Sequence, residues 1–246
     1  MLATAAAVSE RLRLRTYVLN AGLWIPALLA RDAATLDLLS DGRLELGLGA
    51  GSAPDEFDEA GLPWRPARER IAHMERTLLD ARRRLGDESH VPRPVQRPVP
   101  ILVGAMSRDG LFVAADHADI VGYSALRHAR GHPPGTLTAA TAEETDELVA
   151  QVRSRAGGRR FESDVLLQAV ELGRDPLPAA RAAVERDQFD SIDPLVLAES
   201  PCVLFARTAT EAAAELERRR ARWGFTSLTT FWGSADALAE VRRELA

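Results

Sequence analysis

The stretch "LELGLGAGSAPDEF", Leu44 to Phe57, decides how the rest of the sequence is interpreted. An apolar segment runs into three glycines, Gly47, Gly49 and Gly51, and acidic residues follow them. A glycine-rich turn after a strand lets a ligand approach the backbone closely, but it also serves as an ordinary tight turn. The motif is neither G-x-G-x-x-G opening a helix nor a P-loop ending in Gly-Lys, so by itself it leaves both interpretations open.

On both sides of this stretch, apolar segments alternate with amphipathic ones, which is typical of βαβ units and a parallel sheet. The predicted strands are Arg11–Asn20, Arg43–Gly49, Val99–Ala105, Ala118–Tyr123, Asp164–Leu172, Cys202–Ala206 and Ser227–Trp232. The predicted helices are Pro26–Leu39, Arg65–Leu85, Arg108–His117, Thr141–Ala156, Pro178–Arg186, Thr208–Trp223 and Ser234–Leu245. Seven such pairs predict one (β/α) barrel domain over residues 1–246, with an open doubly wound sheet as the alternative.

Composition excludes several classes of function. Hydrophobic residues make up 46% of the 246 residues and charged residues 27%, as in folded globular proteins. The net charge of -5 argues against nucleic acid as a partner. All basic residues are arginines, which excludes a Schiff-base lysine. No apolar run approaches the roughly 18 residues of a membrane span, so we expect a cytoplasmic protein with no membrane partner.

Cysteine and histidine usage predicts no metal site. Cys202 is the single cysteine, and its apolar surroundings favour a buried strand over a nucleophile. His128 and His132 have the i, i+4 spacing of zinc ligands on a helix, but Gly131 and the Pro-Pro-Gly that follows predict a loop there.

Ligands of parallel α/β proteins bind beyond the carboxyl ends of the strands, so the residues after each strand are the candidates. In "VGAMSRDG", Gly104 and Ala105 end a strand, while Ser107 and Arg108 open a helix. Backbone amides, a hydroxyl and a positive charge together favour a phosphate. The alternative is a plain strand-to-helix turn in which Ser107 is the N-cap.

The acidic residues after the glycines are a second candidate. Glu56 or Asp58 would serve as a general base at the carboxyl end of the preceding strand. The alternative is a solvated helix start, where the helix dipole favours acidic residues.

The sequence from Arg11 to Leu78 resembles the luciferase-like monooxygenase superfamily, especially its actinobacterial deazaflavin (coenzyme F420)-dependent oxidoreductases. The motifs that carry the resemblance are the strand end "VLN", the helix "PALLARDAATLDLLSDGR" and the strand "LELGLGAG". The likeness continues through "RPVQRPVPILVGA", "AADHADIVGY" and "RRRARWGFTSLTTF". It therefore spans nearly the whole chain.

The resemblance implies a luciferase-like TIM barrel with a flavin or deazaflavin across the carboxyl ends of its strands. F420 is the expected cofactor and FMN the alternative; hydride transfer or oxygen activation on a small organic substrate is the implied chemistry. The catalytic residue stays unassigned. The positions that match the family's cofactor site are Asn20 beside the ring, Gly49 and Gly51 in the adjoining turn, and Gly104, Ala105 and Ser107 in the phosphate turn.

The sequence also departs from the family pattern. Family members have two further strands and a helix before the position of Met1, so the resemblance implies an incomplete barrel, and the phosphate turn has Ala105 where the family usually has glycine. Missing strands would expose a sheet edge and uncover the apolar side chains of Leu12, Leu14 and Val18. A homodimer through the Arg11–Asn20 strand is the expected remedy. A non-catalytic barrel remnant that acts as a binding or assembly partner is the alternative function.

Overall fold

The structure is a computed structural model, and it describes residues 1–129, 137–186, 189 and 192–245. The chain divides into two compact units. The first comprises Met1–Ala105 and Asp109–Val121, and the second Met106–Arg108 and Gly122–Ala246. The expectation of one domain over residues 1–246 stays a prediction.

The first unit is built around a parallel sheet. Its elements are α1 (Leu2–Val8), β1 (Leu14–Arg15), β2 (Leu19–Asn20), α2 (Pro26–Leu39), β3 (Leu44–Gly49), α3 (Pro54–Glu59), α4 (Ala67–Gly86) and β4 (Ile101–Ala105), followed by α5 (Arg108–His117) and β5 (Ile120–Tyr123), which both cross the division. The strand β3 pairs in parallel with β1, β2 and β4. The structure therefore confirms the parallel sheet and the predicted helices at α2 and α5.

All six residues of β3 are buried, as in a parallel strand covered on both faces. Successive side chains alternate between the two faces, so Leu44, Leu46 and Leu48 share one face while Glu45, Gly47 and Gly49 share the other. The helices α2 and α4 pack on each other and on β3, and they bury large apolar side chains: Leu29, Met74 and Leu78.

A tight turn follows α2. Asp41 and Gly42 have left-handed φ angles of 52° and 75°, and the Gly42 amide donates to the Asp37 carbonyl over 2.9 Å. The buried Asp37 carboxylate accepts from the Gln96 amide over 2.8 Å and from its Nε2 over 2.7 Å. Since Gln96 also donates to the Leu44 carbonyl, the proline-rich connector before β4 is tied to β3 and α2.

Helix α1 and the segment after it are held by one arginine. Arg43 donates to the carbonyl oxygens of Ala6 and Leu12 over 3.1 and 3.0 Å. Leu14 is only 4% exposed, so the expectation that its side chain is uncovered is wrong. Leu12, at 62%, is exposed as expected, and Val18 is 36% exposed.

The described part of the second unit contains parallel strand pairs and an antiparallel hairpin. Its elements are β6 (Leu126–His128), β7 (Leu137–Ala139), α6 (Ala142–Ala156), β8 (Glu162–Leu167), β9 (Ala169–Leu172), α7 (Pro176–Glu185), α8 (Pro194–Glu199), β10 (Val203–Ala206), α9 (Ala209–Trp223), β11 (Ser227–Thr230) and α10 (Ala235–Glu244). The strand β8 pairs with β11 and β9 with β10, both in parallel, and β6 forms an antiparallel hairpin with β7. His132 lies outside the described residues.

The prediction of one strand over Asp164–Leu172 is wrong. The strand breaks at Gln168, whose amide donates to the Cys202 carbonyl over 2.6 Å. This bond lies where the chain stops pairing with β11 and starts pairing with β10. The predicted strand Ser227–Trp232 ends at Thr230, and a short helical turn, Trp232–Ser234, follows.

Cys202 lies in the interior of the second unit, as expected from its neighbours. Its side chain is fully buried in a cluster with Phe189, Leu197 and Phe205, and burial raises the pKa of the thiol to about 11. A thiol that stays protonated is a poor nucleophile, which fits a packing role.

A buried arginine joins α9 to the segment that contains β10. Arg219 is 6% exposed and donates to the carbonyl oxygens of Pro201 and Val203 over 3.2 and 2.8 Å. Its Nε donates to Glu215 over 2.8 Å. The charge therefore has a carboxylate partner, and the two carbonyls have a donor.

Candidate functional site

The candidate site begins with a β-bulge between β1 and β2. Arg15 pairs with Glu45 and Leu19 pairs with Leu48, so residues 16–18 lie opposite only two residues of β3. One extra residue in one of two paired strands defines a bulge, and bulges often lie next to functional sites. The predicted continuous strand Arg11–Asn20 is therefore wrong, because the extra residue interrupts its pairing.

Gly47 is required by this bulge. The Gly47 amide donates to Thr16 Oγ1 over 2.7 Å, and the same hydroxyl donates to the Gly47 carbonyl over 2.9 Å. A Cβ atom on Gly47 would lie 1.8 Å from the Thr16 carbonyl oxygen, which no rotation of a side chain relieves. The first glycine of the motif thus serves the chain's own backbone.

Gly49 and Gly104 make room for one side chain, that of Val18. A Cβ atom on Gly49 would lie 2.6 Å from Val18 Cγ2, and one on Gly104 would lie 3.0 Å from Val18 Cγ1. The carboxyl ends of β3 and β4 therefore meet beneath an apolar side chain supplied by the bulge. Because Val18 is 36% exposed, part of this apolar surface stays accessible.

Asn20 occupies the corresponding space next to Gly51. Gly51 has a φ of +76°, and a Cβ atom there would lie 2.6 Å from both Asn20 Oδ1 and Nδ2. Asn20 Oδ1 accepts from the Gly22 amide over 3.0 Å, and its Nδ2 donates to Glu56 Oε2 over 2.9 Å. Asn20 thus connects the end of β2 to the glycine turn and to α3.

The chain after the glycine turn is held by aromatic and cationic contacts. The buried Phe57 ring meets Trp64 edge to face, with centroids 5.1 Å apart. The Arg70 guanidinium lies 3.6 Å from the Trp64 ring centre, and its Nε donates to the Gly51 carbonyl over 3.3 Å. Partial burial lowers the pKa of Arg70. These contacts fix residues 51–70 against the end of β3.

The opposite end of β3 carries a buried carboxylate. Glu45 is 5% exposed and forms ion pairs with Arg13 and Arg15, the latter over 2.5 Å. Arg13 and Arg15 therefore neutralise a buried charge, because an unpaired carboxylate at this depth would be costly.

The phosphate turn lies between β4 and α5. The strand ends at Ala105, the helix begins at Arg108, and the side chains of Ser107 and Arg108 are exposed. Ala105 has no left-handed φ, so the methyl group that replaces the family's usual glycine adds no backbone strain. The binding of a phosphate at this turn stays a prediction.

In the structure, Gly49 and Gly104 both lie next to the Val18 side chain, and Gly51 lies next to the Asn20 side chain. Ala105 and Ser107 follow Gly104 along the chain. Their assignment to the cofactor stays a prediction. Four other residues of the site have no local signal in the sequence and were not predicted: Thr16, Val18, Trp64 and Arg70. Only the glycine spacing pointed to a close approach by other atoms.

Within the described part of the chain, no three His, Cys, Asp or Glu side chains form a group that could hold a metal ion. None of the described helices has the length and apolar character needed to cross a bilayer.

Small residues and turns at the carboxyl ends of parallel strands are typical of α/β proteins that bind a ligand there. Residues 1–244 match the family model of the luciferase-like monooxygenases, and the chain belongs to this family. An uncharacterized protein of Mycobacterium tuberculosis, Rv0953c, is 32% identical over 242 residues, which cover 90% of this chain and 74% of that protein. Family membership supports a general oxidoreductase or monooxygenase role.

Solved structures confirm the fold class. The monooxygenase RslO1 from Streptomyces bottropensis has a TM-score of 0.68 at 23% identity, covering 99% of this chain and 78% of its own. An F420-dependent secondary alcohol dehydrogenase, solved with an F420-acetone adduct, has a TM-score of 0.72 at 16% identity, covering 92% of this chain and 76% of its own. The luciferase-like α/β fold of the TIM type is therefore confirmed.

Proposed function

We propose that the protein is a flavin- or deazaflavin-dependent oxidoreductase acting on a small organic substrate. F420 is the proposed cofactor and FMN the alternative. The observation that carries the proposal is the convergence of the carboxyl ends of β2, β3 and β4, where Gly49 and Gly104 lie against the Val18 side chain and Gly51 lies against the Asn20 side chain. The similarity to an F420-dependent alcohol dehydrogenase supports the choice of cofactor.

The residues have separate roles in this proposal. The ring lies beside Asn20 and the turn at Gly49 and Gly51, with the exposed part of Val18 as an apolar surface. The phosphate binds at the turn from Gly104 through Ala105 to Ser107, where the amides that open α5 favour an anion. When bound, the cofactor supplies hydride transfer or, as a true flavin, oxygen activation. The protein supplies its position and excludes water.

The single unpaired Cys202 fits a reducing compartment, and we place the protein in the cytoplasm. Its partners in this proposal are the cofactor, the substrate and a second copy of the chain.

The test is a titration of the purified protein with F420 and with FMN, followed by cofactor fluorescence and difference absorbance. The expected result is saturable binding of F420 that is tighter than that of FMN. Tighter binding of FMN would change the cofactor assignment but keep the class of enzyme. Binding of neither at high micromolar concentration would contradict the proposal and favour the non-catalytic alternative.

A further inference from the structure

The two acidic residues left open by the sequence, Glu56 and Asp58, have different surroundings. Both are exposed on α3, six residues long. Glu56 Oε2 accepts a hydrogen bond from Asn20 Nδ2 over 2.9 Å. In the ranges that the structure describes, the Asp58 carboxylate has neither a hydrogen-bond donor nor a cation as partner. Only Glu56 is therefore held in one orientation.

The orientation of Glu56 is set by the backbone through Asn20. The Oδ1 atom of Asn20 is fixed by the Gly22 amide, and the side chain packs against the backbone of Gly51. These two contacts fix the orientation of the Asn20 amide group, and its Nδ2 donates one of its two hydrogens to Glu56. Phe57, the next residue, is buried and would lie 2.7 Å from a Cβ atom on Gly22, which fixes α3 on the same short segment.

The Glu56 carboxylate is exposed, and its hydrogen-bond partner is a neutral amide. No arginine pairs with it among the described residues, in contrast to Glu45, which binds two. One of its oxygens binds the neutral Asn20 amide, and the other has no protein donor in the same part of the chain. An ionised carboxylate accepts hydrogen bonds and donates none. This carboxylate is thus an acceptor held next to Gly51 at the carboxyl end of β3.

We propose that Asn20 is a positioning residue that acts through Glu56, and that the Glu56 carboxylate accepts a hydrogen bond from the bound flavin or deazaflavin. This inference rests on the proposed function. Both cofactors carry a ring N–H group and hydroxyl groups on the side chain, which are the donors an ionised carboxylate requires. Asn20 therefore contributes by orienting the residue that touches the ligand.

Substitutions of nearly identical shape separate the two roles. Asn20→Asp keeps the acceptor for the Gly22 amide, but it removes the donor and places a like charge against Glu56. Glu56→Gln keeps an acceptor for Asn20 and removes the charge. In the double variant, the new amide of residue 56 donates to the new carboxylate of residue 20, which restores the link with reversed polarity. Asp58→Asn is the matched control on the same helix.

Two measurements are made on each variant: hydrogen exchange of the backbone amides of residues 51–60 without cofactor, and the Kd for F420 and for FMN. Asn20→Asp is expected to speed exchange and to weaken binding. Glu56→Gln is expected to leave exchange unchanged and to raise the Kd about tenfold, the factor that one hydrogen bond to a charged group contributes. The double variant is expected to recover slow exchange without recovering the Kd.

Three results would overturn the inference. Unchanged exchange in Asn20→Asp would show that Asn20 does not position α3. A wild-type Kd in Glu56→Gln or in the double variant would show that the carboxylate is not the acceptor. An equal loss of affinity in Asp58→Asn would show that the rise in Kd comes from the loss of net charge and not from the position of Glu56. If the wild-type protein binds neither cofactor, the proposed function fails and the ligand role of Glu56 fails with it, whereas the exchange data still decide whether Asn20 positions α3.

Discussion

Substitution of Gly49 by alanine tests whether the bulge fills the space above β3. The added Cβ atom would lie 2.6 Å from Val18 Cγ2 and 3.6 Å from the Gly104 carbonyl oxygen. A branched side chain such as valine has few alternative rotamers, so the strain passes to the backbone of the bulge. Overpacking of this kind costs about 1 to 3 kcal/mol. In a chain of this length, the melting temperature falls by about 2 to 4 °C for each kcal/mol.

The assay is equilibrium unfolding in urea, in which the midpoint and the slope are compared between variants. Gly86→Ala is the control, because Gly86 lies at the end of α4 and a Cβ atom there meets nothing within 4 Å. That control is expected to be neutral or to gain up to about 1 kcal/mol. Val18→Ala removes the atom that clashes, so combining it with Gly49→Ala should cost less than the sum of the two single changes by at least about 0.5 kcal/mol.

Two outcomes would refute the reasoning. A Gly49→Ala protein as stable as the wild type would mean that the space above Gly49 is open. Additive free energies in the double variant would mean that Val18 is not the residue that fills it.

Four further predictions concern other parts of the chain. Arg219→Ala should destabilise the fold by about 3 kcal/mol in the same urea assay, because it leaves the buried carbonyls of Pro201 and Val203 without their donor. Arg218→Ala, which removes an exposed partner of Glu215, should cost under about 1 kcal/mol. Because burial raises the pKa of Cys202, stability should fall as pH rises from the unfolded thiol's pKa of about 8.5 towards 11, and a thiol reagent should label Cys202 only after unfolding. Ser107→Asp should raise the Kd for F420 at least about tenfold through repulsion of the phosphate, with Ser154→Asp on the exposed face of α6 as the control for added charge. Light scattering over a dilution series should show a homodimer, and a well-folded monomer at every concentration would count against it.

The sequence predicted the elements whose signals are local. The helix α2 was predicted with both of its boundaries, because Pro26 suits a first turn and the residues Ser40-Asp41-Gly42 suit a helix stop. The strand β3 was predicted to within one residue from its apolar run. By contrast, the break at Gln168 has no local signal, since it depends on a hydrogen bond to Cys202, far along the chain.

The spacing of the three glycines correctly indicated a close approach to the backbone, but it did not show which atoms approach. Their spacing indicated that other atoms come close to the backbone at Gly47, Gly49 and Gly51, and this is what the structure shows. The motif alone left a tight turn and a ligand site open, and the family resemblance placed Gly49 and Gly51 beside a cofactor. The residues nearest to the three glycines are Thr16, Val18 and Asn20. Which residues lie opposite which depends on the register between β1, β2 and β3, and the alternating pattern "RLRLR" gives no sign of an extra residue.

The bulge makes two distant parts of the gene depend on each other during evolution. A side chain at position 47 would occupy the place of the Thr16 carbonyl oxygen. We therefore expect relatives to keep or lose two features together: the extra residue between β1 and β2, and the glycine at position 47. The same dependence joins position 49 to the size of residue 18, and position 51 to Asn20. A relative with a bulky residue in place of the first glycine should therefore be one residue shorter before its "VLN" strand, and its Asn20 counterpart would approach β3 in a different register.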